Sequence, residues 1–200
     1  INKFEKWIIV GNSSFKSLKI SLIITSMSIR DIITVPDETL RKISDPIEKV
    51  GKNEKKLIND LFDTMYLSKG IGLAAVQVGV LKRVLVIDVS TKEDKKNPMC
   101  FINPVIKKLS KEKGVYEEGC LSIPNTFIEI ERPKMCEVEY VDINGDLKNI
   151  KCDGLLSTCL QHEINHLDGK LIIDYLSKLK RDIIIKKISK NISTPDRVIV

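Results

Sequence analysis

The chain has two histidines, and they stand four positions apart in Gln161-His162-Glu163-Ile164-Asn165-His166-Leu167, with a glutamate directly after the first. On an α-helix, residues four apart stack on one face with Cβ atoms about 5–6 Å apart, so both imidazoles can ligate one ion. Glu163, about 100° further round the helix, stands beside that ion and can reach a water bound to it. This is the His-Glu-x-x-His arrangement of metal-dependent hydrolysis. The competing reading is two surface histidines at this spacing by accident, since the motif alone also arises without a metal.

A catalytic ion of this kind usually takes three protein ligands and keeps one position for water. No third histidine exists, so the third ligand must be a cysteine or a carboxylate. Cys120 follows a glycine in Glu117-Glu118-Gly119-Cys120-Leu121-Ser122-Ile123-Pro124, a turn-like setting that suits a thiolate ligand. Taken alone, that stretch favours a buried cysteine. A third stretch, Gly70-Ile71-Gly72-Leu73-Ala74-Ala75-Val76-Gln77, combines glycines with small residues that let another backbone approach. A peptide can pair with such an edge as an added strand, and Gln77 would then supply an amide N–H near the reacting carbonyl. A tight turn into a buried strand explains the stretch equally well.

The elements that must position these residues are legible from periodicity. Apolar residues at 57, 58, 61, 62 and 65 predict a helix over 53–67. A second helix, 154–168, carries the histidines, with Asp153 as its cap, Gly169 as its stop, and Leu155, Leu156, Cys159, Leu160, Ile164 and Leu167 for apolar contact. A third, 175–190, places Leu176, Leu179, Ile183, Ile184 and Ile188 on one broad face and its cations largely on the other. Residues 31–35, 84–89, 101–106, 126–131 and 135–141 read as strands, with a hairpin turn at 142–146. A short helical turn is expected at 37–41 and a polar loop at 91–98. The order predicts an α+β domain, mainly antiparallel strands packed around a central metal-binding helix, with a C-terminal amphipathic helix.

Two hundred residues, 42% hydrophobic and 30% charged, suit one domain with a real core. The expected division is an N-terminal extension over 1–26, a single catalytic domain over 27–190 and a tail over 191–200. The net charge is +6, with +3 in residues 1–26 and +5 in residues 175–191, so the body between is close to neutral. The basic, acid-poor leader reads either as an organellar transit peptide or weak signal sequence, or as an extension upstream of a start at Met27. Its apolar run is too short to span a bilayer, and no membrane association is expected. Five cysteines form no CxxC pair, which argues for a reducing compartment rather than a disulfide framework.

Taken together and in this order, Gly70–Gln77, Glu118–Ser122 and Gln161–Leu167 closely resemble three motifs of the peptide deformylases: Gly-x-Gly-Leu-Ala-Ala-x-Gln, Glu-Gly-Cys-Leu-Ser and Gln-His-Glu-x-x-His-Leu. The resemblance runs from about Ile29 to Lys187, and the Gly-Cys-Leu-Ser-Ile-Pro wording is like that of the bacterial and organellar enzymes. It implies that Cys120, His162 and His166 hold one divalent metal ion, Fe2+ foremost, with Zn2+, Ni2+ or Co2+ able to substitute. It further implies that Glu163 is the general base, that the Leu121 N–H and the Gln77 side chain stabilise the formyl oxygen, and that the products are formate and a peptide with a free N-terminal methionine. Ile71, Leu121, Leu155, Thr158 and Cys159 are candidates for the methionine slot, with simple core packing as their alternative, and the Gly72 backbone is the candidate for aligning the peptide.

Two positions depart from the family pattern. Asn165 stands where an Asp is frequent; if that Asp pairs with a cation such as Arg132, support for the histidines is weaker here. Phe127 stands where bacterial relatives often have Arg, near the substrate groove. The implied partners are N-formyl-methionyl nascent peptides and, through the basic C-terminal helix, an anionic surface such as ribosomal RNA. The implied location is the bacterial cytoplasm, or an organelle if residues 1–26 are a transit peptide. Two rival classes remain. A general zinc endopeptidase would need a downstream carboxylate such as Asp168 or Asp174, whose spacing is unusual. A structural metal site in an RNA-binding domain would need a fourth protein ligand.

Overall fold

A computed structural model describes residues 29–90 and 96–192. The extension expected at 1–26, five residues of the loop expected at 91–98, and residues 193–200 lie outside the described residues. In chain order the regular elements are α1 (Lys52–Leu67), β1 (Gly72–Ala74), β2 (Val84–Ile87), β3 (Met99–Leu109), β4 (Lys113–Cys120), β5 (Ile123–Pro133), β6 (Met135–Val141), β7 (Leu147–Asp153), α2 (Gly154–Leu167) and α3 (Lys178–Ile192), with short 3-10 turns at Glu38–Arg41, Ala75–Val78 and Ile172–Tyr175.

Five strands form one antiparallel sheet in the order β1-β2-β3-β6-β7, and β4 and β5 form a separate hairpin. The periods explain the layers. Along β2 successive side chains point to opposite faces, and all four are buried because both faces are covered. Leu85 and Ile87 join Phe101, Cys136 and Val138 beneath Cys159, Leu160, Ile164 and Leu167 of α2. Val84 and Val86 meet Leu57, Ile58, Leu61 and Met65, the buried stripe of α1. A third cluster gathers Ile123, Ile128 and Ile130 of β5 with Leu171, Ile172, Ile173 and Ile188. The histidine-bearing helix thus sits between the large sheet and the hairpin, which is the predicted α+β arrangement.

Several sequence expectations change in detail. Residues 31–35 form no strand; the Ile33 N–H donates to the Gln77 carbonyl and the Val35 N–H to the Ser122 carbonyl, so this segment straps the two motif stretches together instead of joining a sheet. Asp153 occupies the cap position of α2, but its side chain makes no capping hydrogen bond. Helix α3 starts at Lys178, after a 3-10 turn, and reaches Ile192, two residues into the expected tail. Its inner face is set by Ile184, Ile185 and Ile188, whereas Leu179 and Ile183 are exposed, because five apolar positions spread over a 100° period cannot all face one shallow surface.

Candidate active site

One strand irregularity sets Cys120 against α2. In the β4–β5 ladder Gly119 faces Phe127, but the next pair is Cys120 with Ile123, so residues 124–126 bulge out, with Asn125 at φ 56. Such a bulge bends and twists a strand end, and Cys120 lies at that bend, the last residue of a strand. The turn-like setting expected for it is therefore a strand terminus followed by a turn. Helix α2 is held from below by Gln161, whose amide donates to the Pro133 carbonyl at 2.9 Å and to Ser157.

The result brings Cys120, His162 and His166 together, with one ligand atom from each within 4.8 Å of the others. Cys120 Sγ lies 3.2 Å from His166 Nε2, and the two imidazole centroids are 5.0 Å apart. His162 Nδ1 is hydrogen-bonded to Glu118 Oε2 at 2.9 Å, which leaves Nε2 as its donor toward an ion. This donor set fits a divalent metal: one thiolate, two imidazoles from one helix face, and a carboxylate fixing the tautomer of one of them. Glu163 is 4% exposed, and its Oε2 has no hydrogen-bond partner among the described residues. A buried, unpartnered carboxylate oxygen costs folding energy and is available to a reacting water.

Behind the ligands lies a buried ion-pair network. Arg132 Nε donates to Glu118 Oε1 and Nη2 donates to Glu118 Oε2 at 2.9 Å, with both side chains 4% exposed. The remaining guanidinium nitrogen donates to Asn165 Oδ1 at 2.8 Å, and the Tyr175 hydroxyl lies 3.3 Å from both Arg132 Nη1 and Asn165 Oδ1. The contact anticipated between positions 132 and 165 therefore exists, with a neutral acceptor in place of a charged one. Sequence reasoning gave Glu118 no role; the one available signal was a carboxylate two residues before the candidate thiolate.

Electrostatics follow from this burial. Burial pushes the Glu118 carboxyl up, but the hydrogen bonds from His162 and Arg132 outweigh it and hold the pKa below the ordinary carboxylate value. Burial alone would drive His162 down, yet Cys120 and Glu118 beside it push it up to about 10. His166 is driven well below its ordinary value by burial and by the positive charges of His162, Arg132 and Arg41, which keeps its ring neutral. Burial raises Glu163 to about 7, with His162 and Arg132 opposing and Glu118 adding to the rise. Burial likewise holds Cys159 in its thiol form.

These groups open into a cavity of about 650 Å³. Its walls include Cys120, His162, Glu163 and six sequence candidates: Ile71, Gly72, Leu121, Leu155, Thr158 and Cys159. Thr158 and Cys159 are buried, whereas Ile71 and Leu155 are partly exposed. Gln77 is buried outside that wall; its carbonyl accepts from the Ala74 N–H at 2.8 Å, and its amide donates to Ser122 Oγ at 3.1 Å and points to Cys120 Sγ at 3.8 Å.

A His-Glu-x-x-His helix, a thiolate-capable strand end and a buried carboxylate facing one cavity define a metal-dependent hydrolase site. Residues 29–182 match the polypeptide deformylase family. The chain is 58% identical over 164 residues to peptide deformylase of Pelagibacter ubique, covering 82% of this chain and 95% of that protein. It is 50% identical over 168 residues to the Rhizobium meliloti peptide deformylase, covering 84% and 97%. The crystal structure of peptide deformylase from Ehrlichia chaffeensis superposes with a TM-score of 0.80 at 44% identity, covering 86% of this chain and all of that one. The same enzyme in complex with actinonin gives 0.79 at 47% identity, covering 84% of this chain and 100% of that one. The chain belongs to the peptide deformylase family, whose members are metal-dependent.

Proposed function

We propose that this chain removes the N-formyl group from the N-terminal methionine of newly made polypeptides, with Glu163 as the group that moves the proton. The observation that carries this reading is Glu163, whose buried Oε2 has no hydrogen-bond partner among the described residues and which lines one cavity with Cys120 and His162, two of the three converging metal-ligand residues. Cys120, His162 and His166 would hold a divalent ion, which would supply Lewis acidity and lower the pKa of a water from ~15.7 towards ~7. Glu163 accepts that water's proton as its oxygen attacks the formyl carbon, and returns a proton to the methionine nitrogen as the C–N bond breaks, giving formate and a free amine. Its raised pKa, near 7, suits a group that must both take and give a proton at neutral pH.

The Leu121 N–H and the Gln77 amide are the donors for the charge that builds on the formyl oxygen. Gln77 is supported by its fixed carbonyl, which turns the amide toward Cys120; removing one such donor typically costs about 10²–10³ in turnover. The methionine side chain occupies the apolar wall of Ile71, Leu121, Leu155, Thr158 and Cys159, and the Gly72 backbone aligns the peptide. One thiolate and two imidazoles suit Fe2+, with Zn2+, Ni2+ or Co2+ as substitutes.

Residues 27–190 would act as one catalytic domain, with 1–26 an extension and 191–200 a tail. Exposed Lys178, Lys180, Lys186 and Lys187 on α3 support contact with ribosomal RNA. Bacterial relatives support a cytoplasmic location, and no helix among the described residues is long and apolar enough to cross a membrane. The test is formate release from N-formyl-methionyl-alanine by protein loaded anaerobically with Fe2+. Formate production supports the reading; cleavage of internal bonds in unformylated peptides, without formate, would replace it with an endopeptidase.

A further inference from the structure

We propose that a groove between β5 and α3, next to the active-site cavity, binds the fourth and fifth residues of the formylated peptide and makes this enzyme favour chains that are apolar there. The inference rests on the deformylase reading above. The groove holds about 510 Å³; Phe127, Ile128, Leu176, Ile183 and Ile184 make its apolar lining, with the charged Glu129 of β5 and Lys180 of α3 completing it. Phe127 is a wall of both this groove and the active-site cavity, so the two adjoin at one ring. That ring is seated on glycine: a Cβ at position 119 would meet Phe127 Cε1 at 2.8 Å. Yet the residue is 69% exposed and Ile183, on the far side, 57% exposed. Large apolar side chains left open beside a peptide-binding cavity gain by being covered.

Chain length selects the occupant. Phe127 faces Gly119 across the ladder, about 4.8 Å away, and Gly119 directly precedes Cys120, so the ring stands within about two residue lengths of the metal ligand. An extended peptide advances about 3.4 Å per residue. A chain that leaves the active-site cavity past this ring, with its formyl group at Glu163, would bring its third residue to the ring and set its fourth and fifth over Ile183 and Ile184. Selectivity then falls on chains whose early residues are apolar.

The experiment compares kcat/KM for formyl-Met-Ala-Ser-Leu-Leu-amide, formyl-Met-Ala-Ser-Ser-Ser-amide and formyl-Met-Ala-amide, with the wild-type chain and with Ile183→Ser. The wild type is expected to favour the leucine peptide over the serine peptide by about five- to twentyfold, the discrimination a partly open apolar surface provides. In Ile183→Ser that ratio should fall towards one. A ratio near one in the wild type, or an unchanged ratio in the variant, overturns the proposal. So does concentration-dependent dimerisation in sedimentation that Ile183→Ser abolishes without any peptide preference, because a second copy would then be the occupant. If formyl-Met-Ala-amide yields no formate at all, the deformylase reading itself fails, a result distinct from loss of the length-dependent preference.

Discussion

A Cβ placed on residue 72 would lie 2.5 Å from Glu163 Oε1 and 2.8 Å from Cys159 Sγ. Gly72 and Glu163 thus meet with no room for a methyl group, and the backbone of β1 forms the wall against which the buried carboxylate is set. Neither neighbour can swing into solvent, since both are buried.

Gly72→Ala is therefore expected to displace the Glu163 carboxylate. A shift of that size typically costs about 10²-fold in turnover. Steady-state kinetics should show the loss mainly in kcat, while circular dichroism stays that of the wild type. Wild-type kcat in the variant would mean that the carboxylate position is not critical.

Arg132→Leu should remove the cation that Glu118 is paired with and leave that carboxylate buried beside His162. Breaking a buried pair from one side costs about 3–5 kcal/mol, and loss of support behind a metal-ligating histidine weakens metal affinity by about 10–100-fold. Urea unfolding and competition with a chelator measure the two effects separately.

Asp60 links stability to pH. Burial raises its carboxyl pKa, but hydrogen bonds from Lys56 and Arg30 outweigh this and bring it below 3.8. A group whose folded-state pKa is depressed stabilises the fold above its unfolded pKa, and that contribution fades as pH falls through the unfolded and then the folded value. Unfolding free energy should therefore decline from about pH 5 downward, and Asp60→Asn, less stable at neutral pH, should show a shallower decline. Parallel urea titrations from pH 6 to pH 3 check this.

The parts of the fold that periodicity encodes were legible: α1 from Leu57, Ile58, Leu61 and Met65, and α2 with both histidines on one face. The β4 strand was not. Lys113-Gly114-Val115-Tyr116-Glu117-Glu118-Gly119-Cys120 carries three charges and two glycines, and its residues pair with β5 through a ladder that only the tertiary fold supplies. The site was legible in its ligands and base because their spacing is local or their motifs are distinctive. Its supporting network was not, because Arg132, Asn165, Tyr175 and Glu118 are brought together across 10 to 57 residues of chain, and sequence hinted only at the pairing of 132 with 165.

Cys120→Ala should leave two imidazoles where three ligands are needed. Metal content after gel filtration should fall well below one ion per chain, and activity should fall with it. A variant that keeps its ion would point to a downstream carboxylate as the third ligand, as in an endopeptidase.

The most direct test of Glu163 as the proton carrier is formate turnover by Glu163→Gln, with metal content measured on the same sample. Removing a positioned acid–base group costs about 10²–10⁴-fold, so kcat should fall by at least about 10²-fold while the bound ion remains at one per chain. Turnover within a few fold of wild type, at equal metal content, would contradict the assignment.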